Sequence, residues 1–202
     1  MARTPKVVED RREQIIDAAM HVFAQKGFSR ATNKDIAREA GITPGLIYHY
    51  FESKEALLKA IIEGRSPLRL IRTLPPQVME LPPETFLRFM AQQMLAIVED
   101  EQFVQLLRVF LPEILHNPAM SPLGASVLQQ GVGFLQSYFA SHVANGTLRT
   151  VDTALTAQIF AGSLIGFVLR RQILRDPSVL QYTHEQIANA IVDTTLKGVF
   201  PR

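Results

Sequence analysis

The sequence predicts an all-α protein whose first part is a three-helix unit of helix-turn-helix form. Apolar residues recur at three- and four-residue spacing along most of the chain, and beyond Pro83 no alternating strand pattern competes with them. The second observation is local: between Thr32 and Phe51 two short helices with marked ends are joined by a glycine-containing turn. The third is that this pair is too small to bury its own core and is flanked by apolar helical stripes on both sides.

The first helix carries Ile15, Ala18, Ala19, Val22 and Phe23 at helical spacing. Gly27 suits the left-handed position that ends it, and Phe28 then folds back onto its last turn. Thr32-Asn33-Lys34-Asp35 is a capping-box-like start for the second helix, whose apolar face is Ile36, Ala37 and Ala40. Gly41 ends that helix, Thr43 is placed to cap the next, and Pro44 fits its first position, where an N–H has no intrahelical partner. Downstream, Leu57, Leu58, Ile61 and Ile62 supply the remaining wall.

Gly64, Pro67, Pro75-Pro76 and Pro82-Pro83 interrupt the next stretch, so a break is expected rather than one helix through Arg65 to Leu81. The boundary is placed near Gly64 to Pro67, giving domains 1–64 and 65–202. Helices follow over Glu84 to about Glu99, Phe103 to about Leu111, Pro122 to about Asn145, Asp152 to about Leu174, and His184 to about Lys197. Pro112 stops or bends one, Asn145-Gly146 ends another, and Asp176-Pro177 closes the next. Thr183 with Gln186 forms a capping box for the last, which Gly198 and Pro201 terminate.

The 202 residues, 47% of them hydrophobic, suffice for a substantial core, and the net charge of +2 is too small for a global field to explain nucleic-acid binding. A sequence without cysteine excludes disulfide and thiolate chemistry. The start Met1-Ala-Arg-Thr-Pro-Lys lacks the apolar segment of a signal peptide, so a cytoplasmic protein is expected. Ile159 to Leu169 is shorter than the roughly 20 apolar residues that span a bilayer. It reads as a buried helix, with no membrane partner. His21, His49, His116, His142 and His184 are scattered without metal-ligand spacing, and no phosphate loop or nucleophile motif stands out. A non-enzymatic protein without metal or cofactor is the reading.

From Arg12 to Leu58 the order of residues resembles the N-terminal domain of TetR-family transcriptional regulators. The match includes Ile15, Ala18-Ala19, Phe23, Gly27-Phe28, Thr32, Ile36-Ala37, Ala40-Gly41-Ile42, Gly45, Tyr48, Phe51, Ser53-Lys54-Glu55 and Leu57-Leu58, all in register. The resemblance implies a DNA-binding regulator whose C-terminal helical domain binds a ligand and dimerises. It further implies a repressor released from a double-stranded operator by a small effector, which the aromatic content makes apolar or amphipathic.

A recognition helix inserts its N-terminal end into the major groove, so Thr43, Pro44 and Gly45 are the candidates for base reading. Their few polar groups point to methyl contacts and DNA shape. Tyr48, His49 and Lys54 are candidates for phosphate, as are Thr32 and Lys34 at the preceding helix, with Arg30 or Lys34 also within reach of bases. A phosphate-bound Lys54 implies that its removal lowers the salt-dependence slope by about 1. Tyr50 and Phe51 read as core. The arm Met1 to Val8, with Arg3 and Lys6, reads either as a minor-groove or phosphate contact or as a solvated tail.

For the C-terminal part, the resemblance places a homodimer interface on the last two helices. There Ala157, Ala161, Gly162, Leu164, Ile165 and Gly166 permit close approach, and Ile187, Ile191, Val192 and Leu196 form an apolar face that serves either interface or core. Phe89, Gln93, Phe103, Leu107, Phe110, Phe134, Tyr138, Phe160 and Phe167 are the candidates for an effector pocket, with plain core the competing reading. Two other functions draw on the same helices: a dimeric protein-interaction adaptor and a non-specific DNA-binding protein. A mobility shift with promoter DNA distinguishes the adaptor, and indifference to sequence identifies the non-specific binder.

Overall fold

The protein is described over residues 5–198 from a computed structural model. Among the described residues every regular element is helical: α1 (Pro5–Lys26), α2 (Asn33–Glu39), α3 (Pro44–Tyr50), α4 (Lys54–Arg65), α5 (Leu68–Thr73), α6 (Pro83–Ile97), α7 (Glu101–His116), α8 (Ser121–Ala144), α9 (Thr153–Val168), α10 (Pro177–Leu180) and α11 (His184–Lys197). Short 3₁₀ turns lie at Pro76–Glu80 and Pro118–Met120, and a π-helical segment, Leu169–Ile173, prolongs α9. Because α1 begins at Pro5, Lys6 of the expected arm belongs to a helix. Arg3 and Pro201 lie outside the described residues.

The helices form two compact units. The first ends at Ser66 and also takes in Gln102–Gly124, a stretch that segmentation by prolines alone leaves with the second domain. The physical reason is the apolar face of α7, where Phe103, Val104, Leu106, Val109 and Phe110 are buried. Of the two expectations for Pro112, a stop is excluded, because the helix continues through it to His116.

Within the first unit, Gly27 takes φ 78°, ends α1, and returns Phe28 against Phe23, with ring centroids 5.1 Å apart in an edge-on arrangement. At the end of α2, Gly41 takes φ 63° and the Ile42 N–H reaches back to the Ala37 carbonyl, a glycine-terminated helix end. Gln14 of α1 donates to the Ala40 carbonyl at 2.8 Å and so ties the two helices at that point. Ile15, Ile16, Phe23, Ile36, Ile47, Leu57, Leu58 and Ile61 are almost fully shielded from water.

In the second unit, Phe86, Leu87, Met90, Ala91 and Leu95 of α6 pack with Leu135, Tyr138 and Phe139 of α8, Ala157, Phe160 and Leu164 of α9, and Ile187, Ala188, Ile191 and Val192 of α11. Phe86 stacks on Tyr138 with centroids 3.8 Å apart, and the Tyr138 hydroxyl donates to the Leu81 carbonyl at 2.6 Å. Burial pushes the Tyr138 phenol up, so the ring stays neutral and serves as donor. Along the rim of this core Arg88 of α6 donates to Glu84, Asn189 and Asp193, which ties α6 to α11.

The expectation that the apolar run in α9 is buried is corrected. The stretch Thr153–Ile173 is long and apolar enough to cross a bilayer by length and composition, yet only 22% of its most apolar window is buried. Ala157, Phe160 and Leu164 face the core, while Leu155, Ile159, Ile165 and Leu169 are exposed. One helix thus has two apolar faces, and only one is used within the unit. Asp176-Pro177 closes the preceding helical run as expected, the Asp176 N–H reaching back to the Arg170 carbonyl at 2.9 Å, and also starts α10, with the Asp176 carboxylate accepting from the Ser178 N–H.

Truncating Phe86 to Ala is expected to destabilise the protein by about 3–5 kcal/mol, through lost burial and a cavity. Tyr138→Phe, which leaves the Leu81 carbonyl unpaired, should cost about 1–2 kcal/mol. Urea unfolding of both variants checks the order; a larger loss for Tyr138→Phe would contradict packing as the main contribution of this pair.

Candidate nucleic-acid interface

Thr32 has extended backbone at the N-cap of α2, and its hydroxyl oxygen accepts from the Asp35 N–H at 3.2 Å. In return the Asp35 carboxylate accepts from the Thr32 N–H and hydroxyl, a reciprocal capping box. The same carboxylate binds Lys26 of α1 at 2.7 Å and Arg38 at 2.8 Å. The hydrogen bond from Lys26, then that from Thr32, holds Asp35 down to about 2, below its ordinary 3.8. The Thr32 hydroxyl, a candidate for phosphate, is thus already committed to the cap.

The geometry of α3 separates an anchored side from an open one. Ile47 and Phe51 are buried, and Arg12 of α1 lies over the Phe51 ring at 5.3 Å. Thr43, Pro44, Gly45, Tyr48 and His49 are exposed, Tyr48 to 61%. Thr43 stands at the N-cap, but its side chain makes no capping hydrogen bond, contrary to expectation. Pro44 at the first position lowers the number of N–H groups needing a cap, which leaves the hydroxyl unspent on the helix. A Cβ added at Gly45 would meet nothing within 4 Å, so this point of the helix is open to close approach from outside. Tyr50 is half-buried with its hydroxyl enclosed, and its ring meets His49 edge-on at 5.3 Å.

Lys34 is exposed on the first turn of α2, while Arg30 donates from Nε to the Lys26 carbonyl at 2.8 Å and finishes the end of α1. Lys54, a candidate for phosphate, has partners within its own unit. Its ammonium donates to the carbonyls of Phe28 at 2.8 Å, Ala31 at 3.1 Å and Ser29 at 3.3 Å, and lies 4.4 Å from the centre of the Phe28 ring. All three N–H groups of an ammonium have acceptors here. A contact that spacing rules miss joins the same turn: Ser29 donates from its N–H and hydroxyl to the Glu113 carboxylate at 3.0–3.2 Å, across 84 positions of sequence.

The effector candidates are divided between the two units. Phe103, Leu107 and Phe110 are on α7 in the first unit, and Tyr138 and Phe160 are fully buried in the core of the second, with Phe134 and Phe167 partly buried against that core. Gln93 is half-buried and Phe89 is exposed. Among the described residues no group of three or more His, Asp or Glu side chains is placed to hold a metal ion.

Residues 15–61 match the family model of bacterial regulatory proteins of the tetR family, and residues 85–198 match that of the AefR-like transcriptional repressor C-terminal domain. The chain belongs to the TetR family. This TetR-family protein is 28% identical over 153 residues to the HTH-type transcriptional regulator UidR of Escherichia coli K12, covering 73% of this chain and 74% of UidR. It is 46% identical over 72 residues to the regulator SrpR of Pseudomonas putida, 35% of this chain and 34% of SrpR. Among solved structures, FadR of Bacillus subtilis in complex with stearoyl-CoA superposes with a TM-score of 0.74 at 20% identity, over 93% of this chain and 99% of FadR. SmeT, the repressor of the Stenotrophomonas maltophilia multidrug efflux pump SmeDEF, does so with a TM-score of 0.70 at 22% identity, over 92% and 88%. The protein is a DNA-binding transcriptional regulator.

The lowered Asp35 carboxyl carries a sign. Its folded value lies below its unfolded one, so its contribution to stability is complete above about pH 4 and is lost as pH falls toward 2. Asp35→Asn should flatten the acid limb of thermal stability measured between those values; an unchanged acid limb would mean that the capping box and its Lys26 partner do not couple to unfolding.

Proposed function

We propose that this regulator is a homodimeric repressor that reads its operator through Thr43, Pro44 and Gly45 and grips phosphates through Tyr48, His49 and Lys34. The observation that carries this reading is the division of α3: Ile47 and Phe51 are locked in the core while Tyr48, a large aromatic residue, stands 61% exposed beside a bare glycine. Such exposure costs apolar surface in the free protein and is used when the helix enters a groove. With one hydroxyl among the three leading residues, specificity rests on methyl contact and DNA shape as much as on direct hydrogen bonds.

One reading unit covers only a few base pairs, so two are needed for useful specificity. The unused apolar face of α9 supports the pairing: Leu155, Ile159, Ile165 and Leu169 are exposed, and Gly162 and Gly166 have open space at their Cβ positions. On α11, Ile187, Ile191 and Val192 are spent in the core, so its part in the interface comes from its outer side. Stearoyl-CoA bound to FadR and triclosan bound to SmeT, one amphipathic and one largely apolar, support an effector of this chemistry. An apolar or amphipathic effector of this chain releases DNA by binding the free dimer more tightly than the bound one. On this reading the protein acts in the cytoplasm.

Operator selection from random DNA followed by mobility shift tests the reading. Thr43→Val, which keeps a methyl and removes the hydroxyl, should change preference among operator variants, whereas Tyr48→Phe should weaken all variants together; an equal effect of both on every variant would refute the division of tasks. Ile159→Glu with Ile165→Glu should convert the protein to monomers in light scattering at micromolar concentration, and a surviving dimer would move the interface off α9.

A further inference from the structure

The turn between α1 and α2 is held from two sides by residues far apart in sequence. Its carbonyls, those of Phe28, Ser29 and Ala31, converge on the Lys54 ammonium at the first position of α4. Its outward donors, the Ser29 N–H and hydroxyl, converge on the Glu113 carboxylate of α7. A four-residue turn cannot satisfy these groups internally, because only the Ala31 N–H bonds back, to the Gly27 and Phe28 carbonyls. The turn leads directly into Thr32, whose cap starts α2 and whose placement sets the helix pair.

We propose that Lys54 and Glu113 are positioning residues for DNA binding: together they clamp the Phe28–Ala31 turn and so fix the entry of α2, and Lys54 does this in place of a phosphate contact. The proposal rests on the DNA-reading role of α2 and α3. The cation and the anion act on opposite ends of the Phe28–Ser29 peptide dipole, through the Phe28 carbonyl and the Ser29 N–H, so each strengthens the hold of the other. Ser29 is the shared attachment, through its carbonyl to Lys54 and through its N–H and hydroxyl to Glu113.

The two roles differ in sign. Removing a carboxylate from a DNA-binding unit by electrostatics alone tightens DNA binding. If Glu113 positions the turn, Glu113→Ala weakens it instead. A fall in the competent fraction of the turn to about one fifth lowers apparent affinity about fivefold. Glu113→Gln, whose amide oxygen still accepts from Ser29, should recover most of that loss.

Lys54→Ala should weaken operator binding without changing the slope of log affinity against log salt, whereas a lost phosphate contact lowers the slope by about 0.9. Hydrogen exchange of the DNA-free protein should show faster exchange at the Ser29 amide in Glu113→Ala, with far-UV circular dichroism unchanged. If Glu113→Ala alters the helix content, Ser29→Ala, which removes only the hydroxyl, provides the second variant, with an expected loss of about twofold by the same competent-fraction relation. Tighter or equal binding by Glu113→Ala, or a slope lowered by about 0.9 in Lys54→Ala, overturns the proposal while leaving the DNA-binding reading intact. Absence of operator binding by the unmodified protein removes both, and the exchange data then report on the clamp alone.

Discussion

The left-handed turn at Gly27 is the constraint on which the DNA-reading unit depends. It ends α1 in a conformation that a residue with a Cβ adopts only with strain, and everything after it follows from the direction the chain then takes. Phe28 is carried under Phe23, the carbonyls of the turn are brought together over Lys54, and Thr32 arrives with extended backbone where α2 must be capped. The helix-turn-helix pair is only two helices of seven residues each, far below the length at which isolated helices persist in water. Its order therefore comes from caps and from buried Ile36, Ile47 and Phe51 rather than from helix propensity.

The two units obtain their rigidity differently. In the first, polar groups tie the helices to one another: Gln14 to Ala40, Lys26 to Asp35, Lys54 to the turn and Arg65 to Asp17. In the second, the helices share an aromatic core, with Phe86 and Tyr138 in face contact and Arg88 paired with Glu84 and Asp193 at the rim. Rim pairs of this kind contribute little individually, so area burial dominates there. The contrast fits the tasks proposed for the two units, because a reading surface needs exact placement of a few groups, whereas a unit proposed to pair with a copy of itself and take up a ligand must tolerate repacking.

Much of this was legible in the sequence where the cause is local. Both capping boxes, Thr32 with Asp35 and Thr183 with Gln186, stand where their spacing put them, as do the left-handed ends at Gly27, Gly41, Gly146 and Gly198. The exposed Tyr48 and His49 and the buried Phe51 also follow from the pattern. What could not be read there is mostly non-local. Thr43 has the right residue type for a cap but makes no such bond beside Pro44. Lys54 was assigned by charge, while its acceptors lie 23 to 26 positions upstream and are backbone atoms that every residue type carries. Composition identified α9 as apolar without telling an inner face from an outer one, since hydrophobicity on two sides has no period to read. The Ser29 to Glu113 bond has no sequence signature, being two ordinary polar residues met through tertiary packing.

Gly45 has a consequence for the history of such a regulator. Its backbone is not left-handed, and the space where a side chain would stand is empty on the protein's own side. Nothing in the fold requires glycine there. On the proposed reading of the operator, a side chain added at this point alters what meets the groove without disturbing the core that Ile47 and Phe51 secure. Duplicated copies of the gene would then acquire new operators through this single codon while keeping their stability, a route by which one scaffold diversifies into many independent circuits.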